Sequence, residues 1–148
     1  MNLSLVNNVV ELDRLIPLKL LDEIESGDSS ATPEKVARMI ANYWQGGASF
    51  ILANSEGLDV GFGIGIGRPH SSSYLISKVY VHPVFRNRGI GKSIEEAQRE
   101  HARLLGMEYL VSRVDIDNVS SLRVQEKMGA QVICRYPGAI LFKIPVNN

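Results

Sequence analysis

Along most of the chain, apolar residues recur with either a helical or a strand period, and the period changes at identifiable turn signals. From Asn8 to Glu25 the positions Val9, Leu12, Leu15 and Ile16, then Leu20, Leu21 and Ile24, follow a helical spacing. Pro17 interrupts it, because its ring removes a hydrogen-bond donor. The polar run Ser26–Ser30 predicts a loop. Thr32 then reads as an N-cap with Pro33 at the first helical position, and Val36, Met39, Ile40 and Tyr43 line one face. Gly46 and Gly47 end that helix.

Three strands are expected next, over Ser49–Asn54, Leu58–Gly67 and Ser73–His82, with links short enough for an antiparallel meander. From Gly89 the helical period returns with Ile90, Ile94, Ala97 and Leu104, and Gly106 suits the C′ position. A strand over Glu108–Val114, a helix over Asn118–Met128 stopped by Gly129, and strands over Ala130–Arg135 and Ala139–Pro145 complete the series. The last two meet across Tyr136-Pro137-Gly138, whose Pro-Gly pair suits a turn. With a weak first strand at Asn2–Val6, the order is (β)αα-βββ-α-β-α-ββ. Only the crossings through the two later helices can join parallel strands. The expected fold is α/β (α+β): a mixed, mostly antiparallel central sheet with helices on both faces.

Composition narrows the function classes. The 148 residues suit one domain over 1–148, which would bury roughly 68–70% of its unfolded surface. Sixteen basic residues balance sixteen acidic ones, so no global field draws in nucleic acid or an anionic membrane. Neither is expected as a partner. Cys134 is the one cysteine, which excludes an internal disulfide and fits a reducing compartment. The N-terminus lacks the pattern of a signal peptide, and no apolar run approaches the 18 or so residues that span a bilayer. A cytoplasmic, soluble protein is the expectation.

The chemistry concentrates in Lys78–Ser93, KVYVHPVFRNRGIGKS, where a strand runs through a short loop into a helix that opens at two glycines. Gly89 and Gly91 let a ligand approach the backbone, and the first N–H groups of a helix are unpaired donors at its positive end. Arg86, Arg88 and Lys92 crowd the same end, where cations oppose the dipole by about 0.3–1 kcal/mol each. Three together make sense around a multiply charged anion. The Gly91-Lys92-Ser93 triplet is shared with P-loops, but Arg86 stands where that loop requires glycine. Gly61–Gly67 has glycine at every second position and no helix after it, so it is no dinucleotide fingerprint.

Arg86-Asn87-Arg88-Gly89-Ile90-Gly91, after a strand ending V-x-P, resembles the R-x-x-G-x-G pyrophosphate loop of the GNAT superfamily of acyl-CoA N-acyltransferases. The run from Asn118 through Ser121 to Glu126-Lys127-Met128-Gly129 resembles that family's N-x-x-A/S…EKxGF segment, at the expected distance. The element order is similar along essentially the whole chain. The resemblance implies acetyl-CoA as cosubstrate, no metal, and transfer of an acetyl group to a primary amine of an unidentified acceptor.

It also implies roles for particular residues. The strand before the loop would splay from the next one, and backbone groups of Val79 and Val81 would pair with the pantetheine arm. The Val79 N–H would stabilise the oxyanion as a neutral amine attacks. The N–H groups of Arg86, Asn87, Arg88, Gly89, Ile90, Gly91 and Lys92 would hold the pyrophosphate, Asn118 would touch the arm, and Ser121 would lie near the sulfur. Dimerisation is common in similar proteins, so a homodimer is open.

The chain departs from the family pattern in three places. Gln125 stands where many relatives carry a tyrosine acid, leaving the Ser121 hydroxyl or water to assist a thiolate whose ordinary pKa is about 8.5. Leu75 stands where some relatives carry a glutamate base, so the base is a water chain, a group from another segment, or unneeded. Ala130 replaces the final aromatic. The missing acid and base sustain one rival, an acyl-CoA-binding sensor or assembly module without turnover.

Other residues read as structural. His82 is expected at the surface, His70 and His101 have no partners at metal spacing, and Cys134 is expected buried and inert. The glycine stripe Gly61, Gly63, Gly65 and Gly67 is expected to permit close packing rather than to floor a cleft. Asp22, Glu23, Glu25 and Asp28 read as a solvated helix end, with recognition of a cationic amine as the functional alternative.

Overall fold

The computed structural model describes residues 1–147, so Asn148 of the expected 1–148 domain lies outside the described residues. The elements run β1 (Asn2–Leu5), α1 (Ile16–Glu25), α2 (Pro33–Gln45), β2 (Ser49–Ser55), β3 (Leu58–Arg68) and β4 (Ser73–Val81). They continue with α3 (Ile90–Leu104), β5 (Tyr109–Asp115), α4 (Val119–Lys127), β6 (Gln131–Tyr136) and β7 (Ala139–Pro145). Among the described residues, no helix is long and apolar enough to cross a membrane.

Pro17 opens a helix rather than breaking one. Val9–Leu15 is a 3-10 turn whose first residues are capped by Asn8, which accepts a hydrogen bond from the Glu11 N–H at 3.1 Å. Pro17 then sits in the first turn of α1, where its missing donor would have had no partner. Thr32 caps α2 as its spacing predicts, accepting from the Lys35 N–H at 3.2 Å. At the end of α3 the Gly106 N–H donates to the Arg103 carbonyl and the Met107 N–H to the Ala102 carbonyl, both at 3.0 Å. This paired ending needs a left-handed residue, and Gly106 has φ +80°. Gly129 ends α4 in the same way.

The strands form one seven-stranded sheet in the order β1-β2-β3-β4-β5-β7-β6. It is mixed. β4 and β5 are parallel, joined through α3, whereas β1–β2, β5–β7 and β6–β7 are antiparallel. The crossing through α4 carries the chain past the slot that β7 fills, so β7 lies between β5 and β6. The Pro137-Gly138 turn places Tyr136 opposite Ala139, with Gly138 at φ +82°.

The chain forms two compact units, one of Met1–Ile64 with Lys78–Ala97 and one of Gly65–Ser77 with Gln98–Asn148. In the first, Ala53, Val60, Ile90 and Ile94 form a buried cluster against which Val79, Val81 and Phe85 pack. A Cβ at Gly61 would lie 2.8 Å from the Tyr80 carbonyl oxygen and 3.0 Å from Ile94 Cδ1, so this glycine permits close approach. In the second unit, Leu110, Ser112 and Val114 face Ile144, Phe142 and Ile140 on one side of the β5–β7 pair. A Cβ at Gly65 would overlap the ring of Tyr74, which is fully buried. The Arg99 guanidinium donates to the carbonyls of Val146 and Pro145 at 3.1 and 2.7 Å, tying the second half of α3 to the end of β7.

Candidate active site

In the first unit the strand, loop and helix start are held in a defined geometry. Val79 and Val81 turn their side chains toward α3, while the strand alternation puts Lys78 and Tyr80 on the opposite face. After Val81 the chain makes a 3-10 turn over Pro83–Phe85. His82 caps this turn: its Nδ1 accepts from the Val84 N–H at 3.2 Å, its own N–H donates to the Val60 carbonyl at 2.8 Å, and its ring meets Phe85 edge-on. Those contacts give His82 a structural place, half-buried rather than fully at the surface as expected.

Asn87 and Gly89 both adopt left-handed backbone conformations, φ +65° and +79°, and so aim the loop into α3. Asparagine is one of the few side-chain-bearing residues that tolerate this region. A Cβ built on Gly89 meets nothing within 4 Å, and one on Gly91 meets only Val81 and Val79, at 3.7 and 4.0 Å. The Gly89 carbonyl accepts from the Ser93 N–H and from its hydroxyl, each at 3.1 Å, which closes the first turn. The N–H groups of that turn point out of the helix start as unpaired donors. Open space at Gly89, a helix N-terminus and two cations within a turn are the features on which an anion site is expected.

The three cations of the loop differ. Arg88 lies over the Phe85 ring at 5.2 Å, and Lys92 is 3.6 Å from Glu96, one turn along α3. Arg86 turns back instead. Its Nε donates to the Val81 carbonyl at 2.9 Å, its Nη2 donates to Glu25 Oε2 at 2.7 Å, and its guanidinium lies over the Tyr80 ring at 5.5 Å.

Of the acidic group at this helix end, Glu25 and Asp28 are exposed, as a solvated end would be, whereas Asp22 and Glu23 are drawn into ion pairs. Asp22 is buried, 3% exposed, and takes Lys19 and Lys78 at 2.8 Å each; Glu23 takes Lys19 at 2.7 Å. Burial alone would push the Lys19 ammonium down, yet its bonds to Asp22 and Glu23 hold it above its ordinary value. Glu25 accepts from the Tyr80 hydroxyl at 2.6 Å as well as from Arg86. The tyrosine bond first, and then the arginine, hold its carboxyl below the usual range. Burial and the same bond push the Tyr80 phenol well above its own. Asp28 closes a turn with Ser30.

Glu25 and Tyr80 are the residues the sequence reasoning passed over in this role. They are 55 positions apart, and no spacing rule links them. The available signal was local: a tyrosine between two valines of a strand needs a partner for its hydroxyl once buried.

In the second unit β4 pairs with β5 from Ser73↔Tyr109 to Ile76↔Ser112, and Val79 and Val81 follow that paired stretch on the same strand. Asn118 caps α4, its Oδ1 accepting from the Ser121 N–H at 3.1 Å, so these two predicted site residues are brought together. Ser121 is half-buried and Gln125, one turn on, is fully buried. Leu75, in the base position, is half-buried on β4. Cys134 is half-buried on β6 rather than buried, because an edge strand covers little of itself. His101 packs edge-on against Tyr74 at 5.8 Å, and burial pushes its pKa down. Among the described residues, no cluster of His, Cys, Asp and Glu is placed to hold a metal ion.

Comparison with known proteins identifies the family and the fold. The model of the acetyltransferase (GNAT) domain matches residues 21–131. The L-methionine sulfoximine/L-methionine sulfone acetyltransferase of Salmonella typhimurium is 29% identical over 59 residues, 40% of this chain and 34% of that enzyme, so the match spans about a third of its length. Among solved structures, a putative acetyltransferase of Salmonella typhimurium, yncA, holding acetyl-CoA superimposes with a TM-score of 0.77 at 13% identity, covering 100% of this chain and 96% of that one. The aminoglycoside 6'-N-acetyltransferase of Enterococcus faecium gives 0.78 at 17% identity, covering 100% and 98%. At such identities the structures share the fold, whereas the domain match covers most of the sequence. The chain belongs to the GNAT acetyltransferase family.

Proposed function

We propose that this protein acetylates a primary amine, with acetyl-CoA as the donor. The observation that carries the reading is the strand–loop–helix start at Val79–Lys92. Open space at Gly89 faces the positive end of α3, and Arg88 and Lys92 stand within a turn of it. Bound there, acetyl-CoA supplies an activated acyl group on a thiolate leaving group.

The residues of the chain do the rest. The N–H groups of Asn87–Lys92 hold the pyrophosphate, the Arg86 N–H of the expected set being taken by the Pro83 carbonyl, and the backbone of Val79 and Val81 binds the pantetheine arm. The Val79 N–H donates to the carbonyl oxygen on which negative charge builds. Asn118 uses its side-chain oxygen as the α4 cap, which leaves its amide N–H₂ as the donor toward the arm. Ser121, positioned by that cap, lies near the sulfur. With the carboxylates of α1 already paired to Lys19, Lys78, Tyr80 and Arg86, the amine arrives neutral or loses its proton to water.

The acceptor classes to test follow from amine chemistry and from the relatives. They are a free amino acid analogue, as for the methionine sulfoximine enzyme, an aminoglycoside, and a peptide N-terminus. Purified protein with acetyl-CoA and this panel, with free thiol followed over time, tests the proposal. Thiol release that depends on one acceptor class supports it. Tight acetyl-CoA binding with no turnover across the panel would favour the acyl-CoA-binding module instead.

A further inference from the structure

Glu25 stands at the end of α1, yet its carboxylate joins the strand to the loop that follows it. Oε1 accepts from the Tyr80 hydroxyl, just before β4 ends, and Oε2 accepts from Arg86, where the loop begins. Arg86 closes the ring by donating to the carbonyl of Val81, five residues back. The 3-10 turn Pro83–Phe85 lies inside this closure. The geometry thus fixes the two ends of the turn relative to one another, and Asn87, Gly89 and the start of α3 follow directly from it.

We propose that Glu25 is a positioning residue for the acyl-CoA loop. Through Tyr80 and Arg86 it sets the direction in which the N–H groups of residues 87–92 point, and it touches no ligand itself. The proposal rests on the reading of that loop as the pyrophosphate site. It also divides the three cations. Arg86 is turned back by Glu25 of another helix and by the Val81 carbonyl, while Arg88, over the Phe85 ring, and Lys92, in a longer 3.6 Å contact with Glu96 of its own helix, stay at the helix start and supply the charge that meets phosphate.

The two roles open to Arg86 give opposite signs. If Arg86 were a phosphate ligand restrained by Glu25, removing the carboxylate would free a cation and tighten CoA binding. If Glu25 positions the loop, its removal weakens CoA binding while pantetheine, which lacks the pyrophosphate, binds as before.

The test uses the full chain without ligand, as wild type, Glu25→Ala, Glu25→Gln and Tyr80→Phe. Hydrogen exchange is measured on a peptide spanning residues 82–92, with peptides from α2 and β2 as internal references. CoA and pantetheine are titrated in parallel. The expected result for Glu25→Ala is about tenfold faster exchange in residues 82–92 only, and about tenfold weaker CoA binding with pantetheine unchanged, the scale of losing both of the carboxylate's bonds at an exposed position. Glu25→Gln and Tyr80→Phe, which each keep one arm of the closure, should fall between.

Exchange that is unchanged in residues 82–92 overturns the proposal. So does exchange that rises equally in α2 and β2, which would make Glu25 a general stabiliser, and so does tighter CoA binding. Wild-type protein that binds neither CoA nor pantetheine overturns the reading of the loop itself, and that result does not depend on any substitution.

Discussion

A methyl group placed on Gly91 would rest 3.7 Å from Val81 Cγ2, an ordinary contact distance that the fold accommodates. The glycine is therefore not required for packing between β4 and α3. Its absence of side chain matters to whatever approaches the helix start from outside.

Gly91→Ala should consequently separate folding from binding. Alanine in a helix is favoured over glycine by roughly 0.5–1 kcal/mol, so the melting temperature should hold or rise. CoA affinity should fall at least about tenfold and be lost with Gly91→Val, since the side chain occupies the approach to the backbone donors. Calorimetry with CoA on the folded variants checks this, and unchanged affinity in both would remove the loop from the site. Gly89→Ala differs, because φ +79° strains any side chain by about 1–2 kcal/mol whatever the space.

Neutralising Arg88 and Lys92 together should weaken CoA far more than pantetheine. Their charges stand at the positive end of α3, where they oppose the helix dipole until phosphate is bound, and the exposed 3.6 Å contact of Lys92 with Glu96 offsets little of this. The CoA affinity of the wild type should also drop with added salt, and that dependence should flatten in the double variant. Equal losses for the two ligands would refute the assignment.

Ser121→Ala and Gln125→Ala should fail in different ways. Ser121 is half-buried beside its cap, so losing the hydroxyl should lower turnover by a factor near 10², the low end for acid–base groups, with acceptor KM held. Gln125 is fully buried, so its truncation should destabilise the protein by about 1–3 kcal/mol and leave the turnover of the folded fraction nearly intact. Turnover at saturating acetyl-CoA, set beside denaturant melts, distinguishes them. The reverse pattern would move the sulfur away from Ser121.

Gly65→Ala should destabilise the protein by at least about 1–3 kcal/mol through overpacking, because the new methyl meets the immobile ring of Tyr74. Pairing it with Tyr74→Leu should recover part of the loss. Additive losses in the double variant would show that the ring is not what the methyl strikes.

Acidification should unfasten Glu25 in a defined direction. Its folded pKa lies below the ordinary 4.5, so its contribution to stability is fully present above about pH 4.5 and is lost as pH falls through the lower folded value. The stability gap between wild type and Glu25→Gln should therefore close on going from about pH 6 to about pH 3. A gap that is constant across this range would mean that the charge of Glu25 contributes nothing.

The elements of this fold were legible because their signals are local. Thr32-Pro33 announces α2, Gly106 and Gly129 close α3 and α4, and Pro137-Gly138 turns β6 into β7, each by the conformational preference of one or two residues. Pro17 misled because a proline inside a helical period and a proline opening a second helix look alike until the preceding turn is known to be 3-10. The loop at Arg86–Lys92 could be singled out from its glycines and cations alone, as an expected anion site. The destination of the Arg86 side chain was not, since Glu25 lies 61 positions away and nothing in either local pattern names the other. The pairing of Asp22 with Lys78 was hidden for the same reason.

The placement of β7 has a consequence for the order of events as the chain is made. This strand is hydrogen-bonded on both flanks, from Asp115↔Ala139 to Tyr109↔Pro145 on one side and along β6 on the other. It is also synthesised after both of its neighbours. A nascent chain that has emerged only as far as β6 holds β5 with one edge open and an outer strand with nothing to lean on. Because long-range pairings form slowly and unpaired edges attract other chains, this is the interval in which the protein is most exposed to misassembly. The tight Pro137-Gly138 turn shortens it, since β7 needs only to fold back on β6 to bring a ready-made hairpin against β5.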